Sequence, residues 1–85
     1  MGTLDRLAGK LADDTFKAMK ETGDDRLYTE VAKVLGASSQ TLEEAFLTEV
    51  RVRMAASTAF KFLDGKLADT RRKAKEQSAA KAKTE

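Results

Sequence analysis

Three adjacent carboxylate pairs, Asp13-Asp14, Asp24-Asp25 and Glu43-Glu44, are the first candidates in this chain for acid–base or metal chemistry. Neighbouring positions on a helix point about 100° apart, so the two members of a pair do not converge on one proton or one cation. Pairs near helix starts are accounted for by capping and by the positive end of the helix dipole. The chain has no His and no Cys. That removes the usual neutral-pH acid–base group, the thiolate nucleophile, disulfides, Cys-ligated zinc and iron–sulfur clusters. A ferritin-like di-iron site needs a Glu-x-x-His motif, which is missing. Ser38 and Ser39 have no His to activate them and no Gly-x-Ser-x-Gly elbow around them. The Gly-Lys pairs at 9–10 and 65–66 lack the upstream glycine of a phosphate loop. The expectation is a non-enzyme without catalytic residues, cofactor, metal or small-molecule substrate.

Of the 85 residues 41% are hydrophobic, but fourteen are alanine, which leaves 21 larger apolar side chains. A core built from these is thin, and packing against a partner becomes a physical option. Pro is absent, and Ala, Leu, Lys and Glu are plentiful, which favours helix. The fold class is therefore all-α: a small three-helix domain with a long third helix and a flexible basic C-terminal tail.

The first helix is expected from about Leu4 to Lys20, with Leu4, Leu7, Ala8, Leu11, Ala12, Phe16 and Met19 on one face. Thr3 is its expected N-cap, and Thr22-Gly23 ends it. The second runs from about Asp25 to Leu35 behind an Asp24 cap, and Gly36 is expected in a left-handed conformation at its end. Its apolar face holds Leu27, Tyr28, Val31, Ala32, Val34 and Leu35.

The third begins between Ser39 and Thr41. Thr41-Leu42-Glu43-Glu44 fits a capping box. Its seam reads Leu42, Ala45, Phe46, Val50, Ala56, Ala59, Phe60, Leu63 and Leu67. Residues 49–54 alternate apolar and polar as a strand would, but no turn signal flanks them, and helix is the reading.

Residues 70–85 contain no apolar side chain larger than Ala, so a fraying helix passing into disorder is expected there. This divides the chain into a helical domain, 1–69, and a basic tail, 70–85. Charge follows a similar division. Residues 1–65 carry net −2 and residues 66–85 net +4, an asymmetry that suits a solvated terminus or an acidic partner.

At 1.5 Å per residue the three helices span about 25, 17 and at least 35 Å. The third overhangs the second, and its far end is rich in apolar residues. Contiguous exposed apolar surface marks an interface. The expected interaction surface comprises Phe46, Val50, Phe60, Leu63 and Leu67 as buried anchors, with Phe62 as the exposed one. The expected partner is a second copy, as a homodimer, or another helical protein.

One string carries a recognisable motif. In residues 30–45, Ala32 is followed four residues later by Gly36, and Val31, Leu35, Leu42 and Ala45 are apolar. This resembles a helix-turn-helix, in which a small residue permits close helix crossing and glycine permits the turn. The resemblance covers about a fifth of the chain. It implies a DNA-facing set of Ser38, Ser39, Gln40, Glu43 and Glu44. Gln suits adenine, and Ser is versatile. Arg51, Arg53, Arg71, Arg72 and Lys73 would supply phosphate contacts. An ordinary helical hairpin needs the same Ala, Gly and Leu for packing alone.

No run of about 18 apolar residues exists, and the N-terminus lacks a signal-peptide hydrophobic region. The expectation is a cytoplasmic protein without membrane contact. Its first-ranked role is a small interaction, adaptor or regulatory module that self-associates through the third helix. The second is a helix-turn-helix DNA-binding regulator.

Overall fold

A computed structural model describes residues 2–84, with side chains described through residue 78. Three helices follow one another: α1 (Thr3–Thr22), α2 (Leu27–Ser38) and α3 (Gln40–Thr84). No strand occurs among the described residues. The all-α architecture follows from the periodicity. The chain divides into two compact units, Met1–Met54 and Ala55–Glu85, whereas composition suggests a boundary after residue 69.

The first unit is built around small side chains. Ala12 of α1 and Ala32 of α2 are buried with Phe46 and Val50 of α3. Leu11, Phe16, Tyr28, Val31, Leu35, Leu47 and Met54 pack around them. The alanines let the helix backbones approach, and Phe46 (0% exposed) and Val50 (1%) fill the space between. Thr15 is also buried, and its hydroxyl donates to the Leu11 carbonyl at 2.6 Å.

The helix ends are set by hydrogen bonds, and four differ from the sequence reading. Thr3 is the first helical residue of α1, and Gly2 stands at the N-cap without a side-chain bond. The Arg6 amide donates to the Gly2 carbonyl at 3.2 Å. Gly23 closes α1 as expected, in the left-handed region at φ 72°, donating to Met19. Asp24 does not cap α2 directly. Its Oδ1 accepts from the Arg26 amide at 3.0 Å and so shapes the turn before Leu27.

Gly36 lies inside α2, and Gly23 is the one glycine with positive φ among the described residues. The helix runs on because its end is satisfied three residues later, where the Ser39 amide donates to the Leu35 carbonyl at 2.7 Å. Ser39 also caps α3, its Oγ accepting from the Leu42 amide at 3.1 Å. It takes the place expected of Thr41, which lies within the helix.

The second unit consists of the later part of α3. Its backbone is helical through residue 84, including residues 70–84 where a fraying or disordered tail is expected from composition. Between residues 55 and 78 every side chain is exposed except Ala56, which is half-buried.

Candidate functional site

The second unit presents the larger apolar feature. Phe60 is 66% exposed, Phe62 63%, Leu63 53% and Leu67 51%. Phe60, Leu63 and Leu67 recur at helical spacing and share one face. Phe62 lies off that face, where the Lys66 ammonium sits 5.9 Å from the centroid of its ring, a cation–π geometry. Asp69 and Arg72 form an ion pair at 3.1 Å. Arg71 and Lys73 are exposed.

Two of the expected interface anchors have a different role. Phe46 and Val50 are core residues of the first unit and are sealed from any partner. The same periodic seam thus contains buried positions early in α3 and exposed ones later. Val34, assigned from sequence to the apolar face of α2, is exposed as well.

In the first unit the hairpin of α2 and α3 is connected by Ser39 alone, while a helix-turn-helix uses a turn of about three or four residues. Ser38 ends α2 and Gln40 begins α3, both exposed. The Ser39 hydroxyl is occupied by its cap. The Glu43 side chain leans over Gly36, such that a Cβ placed there would meet its carboxylate at 2.8 Å. This sets a negative charge at the crossing of the two helices. Ser38, Ser39 and Gln40 belong to the first unit, and Arg71, Arg72 and Lys73 to the second.

Arg51 is exposed, but Arg53 is engaged. Its Nε donates to Asp13 Oδ1 at 2.8 Å, and its Nη1 donates to the Glu49 carboxylate at 2.8 Å and to the Glu49 carbonyl at 3.0 Å. Its Nη2 reaches the Gly9 carbonyl at 3.4 Å. The bonds from Asp13, then from Glu49, push the guanidinium pKa above its ordinary value, and partial burial opposes them. Arg53 is therefore a tie between α1 and α3 rather than a free phosphate ligand. The Glu49-x-x-x-Arg53 spacing was the available signal for half of this arrangement.

The carboxylate pairs are spread over similar structural duties. Asp13 holds Arg53, Asp14 pairs with Lys10 at 3.0 Å, and Asp24 shapes its turn. Among the described residues no group of three His, Cys, Asp or Glu side chains is placed to hold a metal ion. An open groove on α1 is lined by Thr3, Arg6, Leu7 and Lys10, all from the one helix. No described helix is long and apolar enough to cross a membrane. No protein-family model, curated protein or solved structure matches the chain.

Proposed function

We propose that this protein is a helical protein–protein interaction module with a non-catalytic role. The first unit is the folded anchor, and the later part of α3 is the docking helix. The observation that carries this reading is the exposure of Phe60, Leu63 and Leu67 on one face of that helix. Large apolar side chains lined up at 3–4 spacing are what an amphipathic partner helix covers. Covering what each still exposes recovers a part of the roughly 1.5–3 kcal/mol that full burial of such a side chain contributes.

The experiment is a mass measurement by light scattering, paired with circular dichroism, on the wild type and on Leu63→Glu. Self-association of the wild type, lost in Leu63→Glu with helix content retained, supports a homodimer. A wild-type monomer directs the reading to a helix of another protein. Phe62→Glu serves as the off-face control and leaves the mass unchanged. The DNA-binding alternative has less to rest on, since the Ser39 hydroxyl and the Arg53 guanidinium are both engaged within the fold.

A further inference from the structure

The charges beside the exposed stripe point to what covers it, and this inference rests on the interaction-module reading above. When a helix packs along Phe60, Leu63 and Leu67, the flanking positions are Asp64 and Arg71 on one edge and Lys66 and Lys73 on the other. All four are exposed, and three of the four are cations. Among the described residues no ion pair or hydrogen bond neutralises Arg71 or Lys73. Asp69 and Arg72 pair with each other on the opposite side of the helix and cancel there.

A second copy is a poor match to this edge. In a parallel, in-register pair each Lys66 stands opposite the second copy's Arg71, and symmetry repeats that repulsion. An antiparallel pair that sets Phe60 against the second copy's Leu63 leaves Arg71 and Lys73 without countercharge. We propose that the occupant is an amphipathic helix of another protein, with apolar residues at 3–4 spacing flanked by Glu or Asp. Such a helix covers Phe60, Leu63 and Leu67 and places carboxylates against Lys66, Arg71 and Lys73. Flanking charges of this kind select among partners whose apolar seams are alike.

The test uses the full chain and two synthetic three-heptad helical peptides with the same leucine seam. One carries Glu at the flanking positions and the other Lys. Fluorescence anisotropy should show the Glu peptide binding at least about tenfold more tightly, with the gap narrowing as salt rises. Arg71→Glu combined with Lys73→Glu should reverse the preference, and both positions are exposed, so the fold is not at stake. Leu63→Glu should abolish binding of both peptides with helix content intact.

Equal affinity for the two peptides overturns the inference, as does binding of the Glu peptide that survives Leu63→Glu. A stable dimer that excludes both peptides also overturns it, while leaving the interaction-module reading in place. A monomer that binds neither peptide ends both.

Discussion

Arg53 on α3 donates its Nε to Oδ1 of Asp13 on α1 across 2.8 Å, although the two residues lie forty positions apart. The contact adds a polar tie beside the apolar packing of these helices within the first unit. One guanidinium there meets two carboxylates and two backbone carbonyls.

Replacing Arg53 with Met retains much of the stem packing and removes these bonds. Arg53 is about a third exposed and Asp13 more so, so solvent discounts the loss to about 1 kcal/mol. The urea midpoint should fall accordingly, and Asp13→Asn should fall by less, because Glu49 remains. The sign with pH follows from the raised pKa of Arg53. A cation held more firmly in the folded state contributes fully below its unfolded pKa and is lost only as pH rises through the folded one. The Arg53 contribution should therefore be constant from neutral pH into the moderately alkaline range. A midpoint difference between wild type and Arg53→Met that drifts between pH 7 and pH 9 would count against this account.

Phe46→Ala and Phe60→Ala should separate sharply. Phe46 is fully buried, and truncating such a side chain costs about 3–5 kcal/mol. That is comparable with the whole stability of a unit of this size, about 3–8 kcal/mol. The cooperative thermal transition of Phe46→Ala should move down steeply or vanish. Phe60 is 66% exposed, so Phe60→Ala should leave the transition of the monomer within about 0.5 kcal/mol of wild type.

Two glycines should respond oppositely to alanine. Gly23 holds φ at 72°, and a Cβ there costs about 1 kcal/mol. Gly36 is helical, and the atoms a new Cβ would meet are the end of the flexible Glu43 side chain. That end can swing aside, so Gly36→Ala should stabilise by up to about 1 kcal/mol through helix propensity. Denaturant titration of both variants decides the matter. Destabilisation by Gly36→Ala would mean that Glu43 is held in place more firmly than its geometry suggests.

The start of α3 offers a fourth check. Ser39→Ala removes the oxygen that accepts from Leu42 and should cost about 1 kcal/mol. Thr41→Ala, at an exposed position inside the helix, should be nearly neutral. The reverse order in thermal midpoints would restore the capping box at Thr41–Glu44.

The three helices were legible because apolar spacing reports helix directly, and Gly23 was legible because a glycine after a helical run has one common use. Gly36 shows where that logic stops. The residue type does not say whether glycine serves φ or space, and here it admits the Glu43 side chain. Phe46 and Phe60 occupy the same kind of position in one seam. Periodicity states that each belongs to an apolar face, but not which part of that face α1 and α2 cover. The Arg53–Asp13 tie was hidden because its partners are distant in sequence, and only the turns at residues 23–26 and 39 bring them together. Of the interface drawn from sequence, Phe60, Phe62, Leu63 and Leu67 are exposed, while Phe46 and Val50 are core.

Ser39 uses its amide on Leu35, its carbonyl on Glu43 and its hydroxyl on Leu42. A chain joined through such a residue has no slack to absorb an insertion. One added residue breaks the bond to Leu35 if it precedes Ser39, or those to Leu42 and Glu43 if it follows, and turns α3 by about 100° against α2. The connection at residues 23–26 is four residues long and exposed, and lengthening a loop of that kind costs only about 0.6 kcal/mol per doubling. A reporter spliced between α1 and α2 should therefore leave the first unit folded, and the same reporter spliced at Ser39 should not. Of the two joints in the first unit, only the one between α1 and α2 can take new sequence.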